Sequence, residues 1–157
     1  MIKKIISGGQ TGADRAALDV ALKYGMPHGG WCPAGRLAED GELDAKYELN
    51  EIEHGRYRQR TKRNVLESDG TLILNLGELN GGTLATQKFT QQLKKPCYIV
   101  KLDSCAFEPE VHRVIEWILV NEIAVLNVAG PSESKNPSIY ALSIEFMTRL
   151  HFSLVKN

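Results

Sequence analysis

The chain reads as an α/β protein: a mostly parallel, five-stranded sheet with helices on both faces. Three observations predict this class. Short β-branched runs of about five residues recur between stretches with helical spacing. The runs read as apolar without an alternating polar face, as in strands covered on both sides. Glycine-rich turns mark several of their ends. Strands alternating with helices give a parallel sheet, because each crossover helix packs back onto it, and right-handed crossovers leave few topologies. The 157 residues are enough for one domain, 1–157, with a sizeable core.

The first strand is Ile2-Lys3-Lys4-Ile5-Ile6, expected at the centre of the sheet. A helix follows from about Ala13 to Tyr24, with Gly25 as its C-cap. A short second strand runs through Gly29-Gly30-Trp31-Cys32 and stops at Pro33, whose ring removes a ladder donor. The next helix begins near Arg60 and ends by Ser68. Strand Thr71–Asn75, helix Thr83–Leu93 and strand Cys97–Lys101 come next. Helix Glu108–Asn121, strand Ala124–Val128 and a helix from about Pro137 to Leu150 complete the pattern.

From Pro33 to Gln59 neither period persists, and a connection of that length in an α/β domain is often functional. Its first half is acidic, with Glu39, Asp40, Glu42 and Asp44. The following stretch turns basic, with Arg56, Arg58, Arg60, Lys62 and Arg63. It is either a solvated excursion of balanced charge or a lid that brings cations over the strand ends.

Composition narrows the function classes. Hydrophobic residues are 43% and charged residues 24%, an ordinary globular balance. Formal net charge is zero, so neither nucleic acid nor a membrane surface is an indicated partner. Cys32, Cys97 and Cys105 are an odd set without metal or disulfide spacing, and His28, His54, His112 and His151 are dispersed, so no metal site is expected. The apolar stretch Trp117–Val128 is cut by Asn121 and Glu122, and no signal peptide fits. A reducing cytoplasm is the expected compartment.

Three glycine-bearing turns could form a binding edge. Ser7-Gly8-Gly9-Gln10-Thr11-Gly12 lets backbone amides approach an anion beside a helix N-terminus. It is not a P-loop, since no Gly-Lys-Ser/Thr follows. It is also a poor dinucleotide fingerprint: Ser7 stands in the first glycine position, and no acid ends the second strand. Asn80-Gly81-Gly82-Thr83 places Thr83 as a helix cap with Thr86 one turn on, two hydroxyls that suit a phosphate. This turn and the first converge if their strands are neighbours. Ala129-Gly130-Pro131-Ser132-Glu133-Ser134 is a third turn, expected to lie farther from the pocket. Each of the three is alternatively a plain structural turn.

Together the blocks "SGGQTGADRAALDVAL", "GGWCPAGRLAEDGEL", "RTKRNVLESDGTLIL", "GGTLAT" and "LNVAGPSES" resemble the molybdenum (cofactor) carrier family, relatives of the lonely-guy phosphoribohydrolases. The resemblance runs from Ile5 to the final helix. It implies a three-layer Rossmann-like fold and molybdenum cofactor, a pterin with a dithiolene and a terminal phosphate, as carried ligand. Transferred residue by residue, it implies that Gly8, Gly9, Gln10, Thr11, Gly12 and Arg15 serve the phosphate site, with Gly81, Gly82, Thr83 and Thr86 as a second block. Arg36, Glu39 and Asp40 belong to the loop block. Molybdoenzymes or cofactor-biosynthesis proteins are the implied partners, and a homodimer or tetramer the expected assembly.

One departure bears on chemistry. Lonely-guy enzymes carry PGGxGTxxE with a catalytic glutamate, whereas this chain reads "LNGGTLATQKF", with Gln87 after the threonines. Glycosidic cleavage needs help from a carboxylate. Binding without turnover is therefore expected over the alternatives, a lonely-guy-like nucleoside-monophosphate phosphoribohydrolase and a nucleotide-sensing domain.

Overall fold

A computed structural model describes residues 1–54 and 57–157; Gly55 and Arg56, the latter expected among the excursion's basic residues, lie outside the described residues. Strand β1 (Lys4–Ile6) leads through the Ser7–Gly12 turn into α1 (Ala13–Lys23). Gly25 closes α1 as expected. Its N–H donates to Leu22 O at 3.3 Å and that of Met26 to Ala21 O at 2.8 Å, the paired bonds of a Schellman stop.

The expected second strand is split. β2 (His28–Gly29) pairs with β1, then Gly30 turns the chain at φ 125°, and β3 (Trp31–Cys32) leaves the main sheet. A Cβ at Gly30 would collide with the backbone of Ser7, so the turn requires glycine.

The excursion is built from small pieces. A 3-10 turn (Ala34–Arg36) precedes a hairpin of β4 (Leu37–Ala38) and β5 (Gly41–Glu42), and β6 (Asn50–Glu51) pairs parallel to β3. It has its own core: Cys32, Leu43, Tyr47 and Leu49 close over Leu18 of α1. Burial pushes the Cys32 thiol pKa up, so this thiol is packing rather than nucleophile.

Helix α2 (Tyr57–Leu66) starts one turn before Arg60. β7 (Gly70–Asn75), α3 (Gly81–Gln92), β8 (Cys97–Lys101), α4 (Phe107–Val120), β9 (Val125–Ala129) and α5 (Ile139–Lys156) follow. α5 runs beyond Leu150 because its last turns still have partners: His151 stacks on Tyr24 at 4.6 Å, and Leu154 packs on the core.

The five main strands are all parallel, in the order β2-β1-β9-β7-β8. The first strand is therefore not central; the last one is. β9 pairs on one side with β1 (Ile5 opposite Leu126) and on the other with β7 (Thr71 opposite Asn127). Counted from β9, the spatial order becomes 3-2-1-4-5, that of a Rossmann-type sheet whose first unit has been moved to the end of the chain.

The central strands do alternate. Leu72, Leu74, Leu126 and Val128 are fully buried on the face packed by α1, α4 and α5, together with Ile118 and Phe146. The pleat sends Thr71, Ile73 and Asn127 to the face of α2 and α3. Asn127 Nδ2 there donates to Thr71 Oγ1 at 3.2 Å, which satisfies a buried amide. Short runs read as wholly apolar because the polar face contributes only one or two residues per strand.

The central position of β9 sets a tight packing constraint at Gly130. A Cβ there would meet the Leu74 carbonyl oxygen and lie 2.5 Å from Cβ of Ala13, so two backbones would have to part. Gly130→Ala is expected to destabilise the protein by about 1–3 kcal/mol, the range for overpacking. A shifted urea midpoint at unchanged m-value checks this.

Candidate functional site

The carboxyl ends of β1, β9 and β7 open into one cavity of about 440 Å3. β9 carries its own turn, 130–134, into the middle of that edge, between the other two glycine turns. The third turn, expected to lie farther off, is the one on which the cavity is centred, because β9 and not β1 occupies the centre of the sheet.

The first turn is held from within. Ser7 Oγ donates to Asp14 O at 3.1 Å, and Gly9 N–H donates to Ser7 Oγ at 3.4 Å. Gly12 (φ 82°) lies so close to residues 131–133 that no side chain fits. The start of α1 is already partnered: Ala13 N–H donates to Pro131 O at 3.3 Å and Arg15 N–H to Gln10 O at 3.0 Å. This helix end therefore has little left to offer an anion.

The second turn differs. α3 begins at Gly81 after N-cap Asn80, and no side chain caps it. Its first helical bond runs from Leu84 N–H to Asn80 O at 3.1 Å, so the amides of Gly81, Gly82 and Thr83 have no partner within the helix. Thr83, expected as the cap, sits inside the first turn because Asn80 takes the extended capping position. Thr86 Oγ1 bonds back to Gly82 O at 3.0 Å. A Cβ at Gly82 would meet nothing within 4 Å, which leaves open space against these amides. Lys135, from the third turn, lies beside Gly81 and makes no ion pair among the described residues.

Charges in the lining nearly cancel. Arg60 of α2 donates through Nη1 to Asp14 Oδ2 at 3.2 Å, with the two side chains only 12% and 6% exposed. Burial pushes the Asp14 carboxyl above its ordinary pKa, and the Arg60 charge works against that rise. The Arg60 Nε–H is buried without a partner.

Glu39, at the tip of the excursion, reaches the third turn. Its Oε1 accepts from Ser134 N–H at 3.1 Å and from the Thr11 hydroxyl; its Oε2 accepts from Ser134 Oγ at 2.5 Å. These donors, Ser134 foremost, hold its carboxyl below the ordinary range. Asp40 is likewise lowered, chiefly by the Arg15 guanidinium, which donates to both its oxygens at 3.0 Å.

The structure divides the residues that the sequence singled out. Gly8, Gln10, Gly82, Thr83 and Thr86 line the cavity. Gly9 is covered by Leu43 and Leu49, Thr11 and Gly12 form the framework behind the lining, and Gly81 is exposed beside Lys135 at the start of α3. Arg15 is a strut from Gly9 O to Asp40, stacked over Tyr47. Arg36 donates to the carbonyls of Asp44, Tyr47 and Leu49 at 2.7–3.2 Å and so ties the excursion to itself. Asn127 and Lys135 line the cavity without having been singled out. An asparagine inside an apolar strand was a usable signal for the first; a lone lysine after a serine turn carries none. Among the described residues no three His, Cys, Asp or Glu side chains gather as a metal site, and no helix is long and apolar enough to cross a membrane.

A parallel sheet in the order 3-2-1-4-5, with its cavity over the carboxyl ends of the middle strands, defines a Rossmann-like α/β protein. The chain belongs to the circularly permutated YpsA SLOG family, whose profile matches residues 5–151. A strand order that becomes 3-2-1-4-5 when counted from β9 accords with that description. The chain is similar in structure to a "putative molybdenum carrier protein" from Syntrophus aciditrophicus SB, with 48% identity, a TM-score of 0.93, and 95% of this chain and 94% of that one covered. No curated protein matches the chain significantly.

The Glu39 contact predicts an acid response. A carboxyl lowered in the folded state contributes stability above its ordinary value near 4.3 and loses it as pH falls through the lowered value. Hydrogen exchange of residues 37–42, corrected for intrinsic rates, is expected to accelerate below about pH 4. In Glu39→Gln the same amides should exchange faster already at pH 7, with the acid response reduced to the part that the Arg15–Asp40 pair supplies.

Proposed function

We propose that this protein is a carrier that binds a phosphorylated, pterin- or nucleotide-like ligand, with molybdenum cofactor as the cargo. The observation that carries this is the uncapped start of α3, with the free amides of Gly82 and Thr83 bordering the cavity near Lys135. A helix end of this kind binds a terminal phosphate through N–H groups and the helix dipole. The relative from Syntrophus aciditrophicus, described as a molybdenum carrier, supports the choice of cargo. The donors present suit the cofactor's phosphate, and the cavity of about 440 Å3 falls in the size range of small-molecule sites. Donor and acceptor proteins, molybdoenzymes among the acceptors, complete the carrier role, and the working unit is a homo-oligomer.

Binding is favoured over turnover because the carboxylates of the lining are engaged. Asp14 pairs with Arg60, Glu39 is held by Ser134 and Thr11, and position 87 of α3 is glutamine. One observation favours the hydrolase alternative: the pKa of Asp14 is raised within the cavity, as befits a general acid. Release of ribose phosphate from a nucleoside monophosphate, abolished in Asp14→Asn, would establish that alternative.

Added cofactor at a hundredfold excess over Kd is expected to stabilise the fold by about 2.7 kcal/mol and to raise the Tm by roughly 5–10 °C. Gly82→Asp places a carboxylate where the phosphate would sit, in a position that itself suits an acidic residue at a helix start. Its Tm without ligand should match or exceed that of the wild type, while calorimetric affinity for the cofactor falls at least tenfold. Unchanged affinity in Gly82→Asp sinks the assignment of the phosphate to α3.

A further inference from the structure

The third turn already holds an anion, and that anion belongs to the protein. Glu39 is gripped by Ser134 N–H, Ser134 Oγ and the Thr11 hydroxyl, with the Ser132 hydroxyl as a further donor. All of these donors are neutral, and Glu39 makes no ion pair among the described residues. Converging amide and hydroxyl donors on a short turn are the means by which proteins hold oxyanions.

Glu39 is dispensable to the packing beneath it. The excursion is held by its own core under Leu43, Tyr47 and Leu49, by the Arg15–Asp40 pair one residue on, and by the Arg36 ties. Tyr47 and Tyr140 add a clasp, both hydroxyls donating to Asp19 at 2.5 Å. Glu39 itself is exposed, so little packing is lost if its carboxylate leaves. Two further donors border the same cavity: the Lys135 ammonium, which makes no ion pair among the described residues, and the buried, unpartnered Nε–H of Arg60, whose charge Asp14 counters.

We propose that Ser132 and Ser134, with the Thr11 hydroxyl, form a second oxyanion subsite that Glu39 fills as an internal stand-in. The ligand accordingly carries a second oxyanionic group besides its phosphate, and that group displaces Glu39. This rests on the phosphate site at α3 proposed above. It narrows the ligand class to compounds with two separate oxyanionic centres, and it makes release of the excursion's tip a consequence of binding.

Equilibrium dialysis with radiolabelled inorganic phosphate at saturation counts the subsites. The wild type is expected to hold one phosphate, at α3. Glu39→Ala is expected to hold two, and Glu39→Ser, a second variant in case alanine unsettles the fold, should also hold two. Asp40→Asn removes the same charge one residue away while leaving the donors filled, and should stay at one. A gain of one phosphate on emptying position 39, absent in Asp40→Asn, supports the subsite whatever the wild-type count. No gain in either Glu39 variant overturns it, and so does an equal gain in Asp40→Asn, which would assign the effect to lost charge alone. Failure of the α3 site looks different: the wild type then binds no phosphate, or Gly82→Asp binds as much as the wild type.

Discussion

The structure depends on β9 being hydrogen-bonded on both sides, to β1 and to β7. That placement brings together three turns far apart in sequence: 7–12, 76–82 and 130–134. It also puts Gly130 and Gly12 where backbones approach too closely for a side chain, so the two strand ends are locked in register. A sheet starting with β9 and a sheet ending with it have the same contacts. Permutation therefore changes the order of loop closures during folding rather than the site.

Electrostatics at the site rest on dipoles and amides more than on net charge. Arg60 is countered by Asp14, and the start of α1 is already partnered by Pro131 and Gln10. The start of α3 offers open amides at the cavity, because Asn80 caps by backbone geometry without lending its side chain. Open amides at a helix start are the kind of group that can receive an anion without a basic surface. Hydrogen bonds in a confined, partly desolvated site are worth more than they are in water.

The excursion between β3 and α2 shows how a long connection can be ordered without regular structure. It contributes three buried side chains, Leu43, Tyr47 and Leu49, to a small core over Leu18 and satisfies its carbonyls with the guanidinium of Arg36. The arginines expected near the ligand, Arg15 and Arg36, spend their donors on backbone and on Asp40. Burial and the bond to Asp19 push the Tyr140 hydroxyl up to about 12, so this clasp stays protonated across the physiological range. The excursion is seated at its base by apolar packing and attached at its tip by polar contacts alone, where Glu39 meets Ser134 and Thr11 and Asp40 meets Arg15.

Much of this protein was legible in its sequence. Local rules suffice for the strand and helix alternation, the Gly25 stop, the parallel class and the glycine turns, because periodicity and turn chemistry act over a few residues. The family resemblance was legible too, being a matter of blocks in order. The sequence alone did not determine which strand would be central, because spatial order depends on which edges pair and not on chain order. That one misplacement led the third turn to be set aside, although it sits at the heart of the cavity. The sequence alone also did not determine which polar residues would face the cavity. Arg15 and Gln10 come from the same turn and helix start, yet one became a strut and the other lining. Residues within one turn project in different directions, and only packing against Asp40, Tyr47 and Glu39 selects which of them reaches the ligand edge.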